Sequence, residues 1–249
     1  MPTTASSSRF DAAPRGVRTS YEFVEGWGMT VGAHAKVLRP RSVDELRAAF
    51  ELARRDGVPL ALRGTGCSYG DASVNTRGHV LDVRGWNRIL AWDRATGVAT
   101  CEPGVTLEQL WKTILPDGWW PRVVSGTMFP TLAGAAGMNI HGKNNYAVGT
   151  LGDAIRSFDL VTPKGELLTC DRATNADVFH AAIGGFGMLG SFTRIELETK
   201  RVHSGELEVR GISVPGLAEA MEEMDARTRD ADYLVAWIDA FAGGAGLGR

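Results

Sequence analysis

Four glycine-bearing segments, each beside a run of apolar residues, restrict this chain more than any other feature: residues 63–71, 125–127, 131–142 and 184–190. Residues without bulky side chains let two backbones, or a backbone and a ligand, approach closely. Consecutive amides in such loops form concave nests that hold a diphosphate without a lysine or a metal ion. Several such loops together imply a long ligand laid across one domain. The chain is large enough to build that domain, since 249 residues with 44% hydrophobic content supply a full core.

Other classes are disfavoured by the same composition. Lys and Arg number 27 against 29 Asp and Glu, a net charge of −2, which lacks the basic excess that phosphate-backbone binding requires. Cys67, Cys101 and Cys170 are odd in number, far apart and without a CxxC pair, which argues against a disulfide framework or a structural metal. The first twenty residues hold Ser6-Ser7-Ser8 and scattered arginines but no apolar signal region, and no run of about 18 apolar residues occurs. A cytoplasmic chain is expected, with an unstructured N-terminus over residues 1–20 and no transmembrane segment.

Ser42 and Glu45 form a capping box, Val43, Leu46, Phe50 and Ala53 follow at helical spacing, and Gly57 is a natural stop. A second box, Thr106 with Gln109, opens a helix that Pro116 ends. The pattern predicts strands at 58–62, 79–83, 98–102, 122–124, 155–162, 166–170 and 191–202, and a helix at 174–183. From Gly205 it restarts with a strand, a helix over 217–228 and an apolar strand over 233–241, and a glycine-rich tail follows. Two domains are therefore expected, one over 21–204 and the start of a second over 205–249 that is left incomplete.

Two phosphate motifs fail on context. Gly185-Phe186-Gly187-Met188-Leu189-Gly190 matches the dinucleotide fingerprint, but a helix precedes it and a strand follows, the reverse of the required order. Gly137 to Asn144 is one residue short of a Walker A loop, because Asn144 offers no hydroxyl to magnesium.

The four loops, in this order, resemble the vanillyl-alcohol oxidase and p-cresol methylhydroxylase (PCMH) type of FAD-binding domain, over about Val37 to Val202. The wording of Cys67-Ser68-Tyr69-Gly70-Asp71 and Ile140-His141-Gly142-Lys143-Asn144 is most similar to the decaprenylphosphoryl-β-D-ribose oxidase-like group of that family. Alditol oxidases and delta-24 sterol reductases are similar more distantly. The resemblance implies an α+β fold, an FAD-binding domain of two α/β subdomains followed by the truncated start of an α+β substrate, or cap, domain. It also implies FAD as cofactor and oxidation of a CH–OH group by hydride transfer to flavin N5. A small alcohol or sugar is the implied substrate, with the electron acceptor left open.

By the same resemblance, Arg63, Gly64, Thr65, Gly66, Cys67, Ser68, Tyr69, Gly70 and Asp71 cradle the pyrophosphate and part of the flavin. Gly126, Thr127, Thr131, Ala133, Gly134, Met138, Asn139 and His141 line the isoalloxazine and ribityl chain, and Gly190 and Phe192 lie near the adenine end. His141 reads either as a polar catalytic group beside the ring or as a histidine holding a glycine-rich turn. Lys143 reads either as an electrostatic aid or as a solvated lysine. Cys67 stands where some members carry a histidine joined covalently to the flavin, but the members it resembles most hold FAD non-covalently. A non-catalytic FAD-binding module is the alternative reading, and a nucleotide hydrolase the third.

Overall fold

The computed structural model describes residues 16–241 and Gly243. Most of the N-terminal segment expected to be unstructured lies outside the described residues, as does most of the glycine-rich tail, but Arg18–Ser20 already belong to a strand. That strand, β1 (Arg18–Glu25), forms an antiparallel hairpin with β2 (Gly32–Arg39), Phe23 facing His34 across it. Neither strand was expected. Helix α1 (Val43–Asp56) then crosses over to β3 (Leu60–Arg63), and β4 (His79–Asp82) inserts between β2 and β3 as a parallel partner of both.

Ser42 caps α1 by accepting from the Glu45 amide, while the Glu45 carboxylate accepts from the Arg41 amide, one residue short of a reciprocal box. Gly57 ends the helix in the left-handed region. Leu46, Ala49, Phe50 and Leu52 of α1 pack against Leu38 and Leu81 of the sheet and Val83 just beyond β4. Each buried leucine or phenylalanine side chain here contributes about 1.5–3 kcal/mol of transfer free energy.

A second, antiparallel sheet follows. It is built from β5 (Ile89–Asp93), β6 (Val98–Cys101), β7 (Trp119–Pro121), β8 (Ile155–Val161), β9 (Leu167–Asp171) and β10 (Ser191–Arg201). The order is β5-β6-β10-β8-β9, and β7 pairs with Thr199–Arg201 at the end of β10. β7 replaces the strand expected at 122–124, and β5 was not expected. Helices α2 (Leu107–Ile114), α3 (Leu132–Gly137), the one-turn α4 (Asn145–Val148) and α5 (Leu151–Ala154), and α6 (Ala176–Ala182) connect these strands. Phe158 stacks on Phe179 at 5.3 Å and meets Phe192 edge-on at 4.9 Å, which centres this core. Ala133 of α3 packs against both cores, so α3 lies at the junction of the two sheets.

Beyond β10 the sequence pattern fails. Helix α7 (Leu217–Arg227) forms as expected, but neither the stretch after Gly205 nor residues 233–241 is a strand. A strand exists only where a neighbouring edge accepts its hydrogen bonds, and these segments pair with none among the described residues. Leu207, Val209, Val235, Trp237 and Phe241 point instead to solvent. Among the described residues no helix is long and apolar enough to cross a membrane.

Candidate functional site

A cleft of about 760 Å³ opens where the ends of β3 and β4, helix α3 and the start of β10 converge. That volume lies within the roughly 300–1,000 Å³ of small-molecule and cofactor sites. One wall is the loop that leaves β3. Trp27, in the turn between β1 and β2, donates its amide to Gly66 O at 2.8 Å, and Thr30 Oγ1 donates to Tyr69 O at 3.1 Å. Gly28 lies so close to this loop that a Cβ there would overlap the Tyr69 carbonyl. The turn thus clamps the loop from behind.

Inside the loop, the Arg63 guanidinium donates to Ser73 O at 3.3 Å, to Ser73 Oγ at 3.2 Å and to Glu25 O at 2.8 Å. It joins the two ends of the loop to the end of β1. The backbone amides from Thr65 to Asp71 donate to no other described residue. Unpaired amides in a shaped loop are hydrogen-bond donors available to an anion.

The other loops are laced to the first and to one another. Thr65 Oγ1 donates to Phe129 O at 2.8 Å, and Ser125 Oγ to Thr127 O at 2.9 Å. Thr131, almost fully buried, caps α3 by accepting from the Gly134 amide at 3.2 Å. Asn139 adopts φ 44°, where its Oδ1 accepts from the Gly152 amide at 2.9 Å. The fourth loop hangs from α3: Gly184 N donates to Ala136 O and Phe186 N to Gly137 O, both at 2.9 Å.

All the site residues named from the sequence line this one cleft: Arg63 to Asp71, Gly126, Thr127, Thr131, Ala133, Gly134, Met138, Asn139, His141, Gly190 and Phe192. Their environments differ. His141 is exposed, its backbone bridged to Thr150. Tyr69 leaves its ring in solvent at the mouth, so it does not pack the loop. Cys67 is half-buried, with Sγ 3.4 Å from Thr65 Oγ1. Cys101 and Cys170 are buried away from the cleft, and burial pushes the Cys101 thiol up to about 12 and the Cys170 thiol upward. Lys143 lies outside the cleft, where its carbonyl accepts from Leu234 N at 2.9 Å.

Sequence reasoning missed Trp27, which lines the cleft together with Leu62, Val83 and Phe186. Its signal was present: an aromatic residue between Gly26 and Gly28 after a strand-like alternation. The 185–190 glycines follow α6 and precede β10, an order that removes the dinucleotide-fold reading.

An FAD binding domain family matches residues 34–171, more than half of the chain, and the chain belongs to that family. Decaprenylphosphoryl-beta-D-ribose oxidase of Mycolicibacterium smegmatis is 34% identical over 234 residues, covering 93% of this chain and 51% of that protein. The FAD-linked oxidoreductase janO of Penicillium janthinellum is 31% identical over 171 residues, 66% of this chain and 36% of that protein. L-gulonolactone oxidase of mouse (Mus musculus) is 26% identical over 211 residues, 84% of this chain and 47% of that protein. The chain spans about half or less of the length of these relatives. FAD is the cofactor of the family, and the cleft fits it. A Cβ at Gly70 or Gly126 would meet nothing within 4 Å, so both glycines leave room beside the unpaired amides.

Proposed function

We propose that this chain holds FAD for an oxidoreductase that removes hydride from a CH–OH group of an alcohol or sugar. Bound FAD would supply the hydride acceptor, N5 of its ring system. The chain's own part is to bind and orient. The loop at 63–73 presents amides to the diphosphate, the segments 125–141 form the wall beside the ring, and the apolar side chains of Leu62, Val83 and Phe192 exclude water. His141, exposed and lining the cleft, would exchange a proton with the substrate hydroxyl. The observation that carries the reading is the convergence of four glycine-bearing loops, far apart in sequence, on one cleft. The names of the relatives support the CH–OH donor class.

Anaerobic spectroscopy tests it. The purified chain should show the flavin bands, and they should bleach when a sugar or sugar-alcohol panel is added. Flavin bands that persist with every donor would support the second reading, a module that binds FAD without turnover. That reading draws on the long segments after β10 that bury almost nothing. Acid denaturation should release the colour into the supernatant, as expected for FAD held without a bond to Cys67.

A further inference from the structure

We infer that Arg63 supplies the counter-charge for the cofactor's diphosphate from beneath the loop, through the backbone and without touching it. The inference rests on the assignment of FAD to the cleft. Among the described residues, Arg63 is the one cleft-lining residue with a permanent positive charge, and Asp71, exposed on the loop, is the one lining carboxylate. The guanidinium is half-buried, yet its three hydrogen bonds go to neutral oxygens, two on Ser73 and one on the Glu25 backbone. The nearby carboxylates are engaged elsewhere. Asp82 is fully buried between Arg39, at 3.3 Å, and Arg84, at 2.6 Å, and Glu22 pairs with Arg39.

Asp82 and Glu22 act on Arg63 from beyond ion-pair distance, and a partly desolvated cation with no carboxylate in direct contact among the described residues is costly unless an anion arrives to balance it. The loop geometry says where that anion sits. Gly66, at φ 77°, passes directly over the guanidinium, so close that a Cβ there would overlap it. The unpaired amides of Thr65 to Asp71 belong to the same turn. The cation therefore lies one backbone thickness behind the donors. From there it strengthens each amide as an anion donor, and it fixes the curvature of the loop by tying residue 63 to residue 73. Arg63 is on this account a positioning residue with an electrostatic task, and a pure brace would lack that task.

The two roles separate in the salt dependence of FAD affinity, measured by flavin fluorescence on the holoprotein and on chain stripped of flavin and retitrated with FAD. For the wild-type chain, log Kd should rise with log salt. Arg63→Met should weaken FAD by about a hundredfold, as expected for one unit charge at short range in a partly screened site, and should flatten the salt slope. Arg63→Lys keeps the charge without the fork, so it should lose affinity but retain the slope. Ser73→Ala loosens the brace alone, and it should lower Tm while leaving the slope unchanged. A wild-type slope in Arg63→Met would overturn the inference. So would a slope in Arg63→Lys as flat as that of a chargeless site, which decides the matter if Arg63→Met does not fold. A wild-type chain that takes up no FAD would instead refute the cofactor assignment.

Discussion

The loop over 63–73 and the extended run over 205–214 both lack regular structure, but they are opposite kinds of irregular chain. The first is held on every side: by Trp27 and Thr30 behind it, by Phe129 O beside it and by the Arg63 guanidinium within it. The second has strand-like alternation, yet Leu207 and Val209 face solvent. Its continuation after α7 is anchored near residues 231–234, where Tyr146 OH donates to Ala231 O, Leu234 N to Lys143 O, and Lys200 Nζ lies 4.6 Å over the Tyr233 ring. Order in this molecule follows the number of partners a segment finds, and regularity of the backbone is a separate matter. A glycine loop is fixed when neighbours supply its hydrogen bonds, whereas an alternating segment without an edge to join stays unpaired.

The largest test of that contrast is a pair of glycines. Gly28→Val would drive a branched side chain into the Tyr69 carbonyl, and the backbone of the clamped loop would have to move. We expect a loss of about 3 kcal/mol, the upper part of the range for overpacking, and purified protein nearly free of flavin colour. A Cβ at Gly211, in the other segment, meets nothing within 4 Å, so Gly211→Val should leave both Tm and flavin content unchanged. Equal losses in the two variants would erase the distinction between braced and unbraced loops.

A smaller effect tests the far end of the sheet from which the braced loop leaves. Asp56, at the end of α1, accepts a 2.8 Å hydrogen bond from His79 Nε2 at the start of β4, both side chains being almost fully buried. Burial alone would raise the Asp56 pKa, but the His79 hydrogen bond together with the charges of Lys36, His79 and Arg55 outweighs it and holds the carboxyl below its ordinary range. A depressed carboxylate pKa contributes stability that is present above the unfolded value, about 3.9, and is lost as pH falls through the folded value beneath it. Asp56→Asn should therefore cost about 1–2 kcal/mol at neutral pH. Its denaturation curve should converge on that of the wild type below about pH 4. A gap that persists undiminished into acid would show that the charge of Asp56 is irrelevant.

What the sequence disclosed follows the same division. Helix α1, the β8–β9 hairpin and β10 are readable within a residue or two, because Ser42, Gly57 and the turn at Pro163-Lys164-Gly165 act on their immediate neighbours. The cleft loops were readable for the same reason, since small residues announce close approach wherever they stand. The lacing was not. Thr65 meets Phe129 and Trp27 meets Gly66 only after the sheets have formed, and Arg63, named from its place in the motif, turns its side chain into the protein. β7 was misplaced by three residues because Pro121 closes it and because its pairing is set by Thr199–Arg201, far along the chain. The strands expected after Gly205 failed for the converse reason: alternation records a capacity to pair and carries no information on the partner.

That last point yields the smallest expected effect. Trp237 is almost fully exposed, so its ring gains nothing from a core and loses nothing when removed. Trp237→Ser should change Tm by an amount equivalent to less than about 0.5 kcal/mol, the ordinary range for surface substitutions, with FAD content unaltered. Solubility is the more sensitive reading, because Val235, Trp237 and Phe241 together expose apolar surface, which promotes association. The variant should remain monodisperse at higher concentration than the wild type in light scattering. A drop in Tm of several degrees would mean that Trp237 packs against something in the folded chain, and the segment after α7 would then belong with the braced loops.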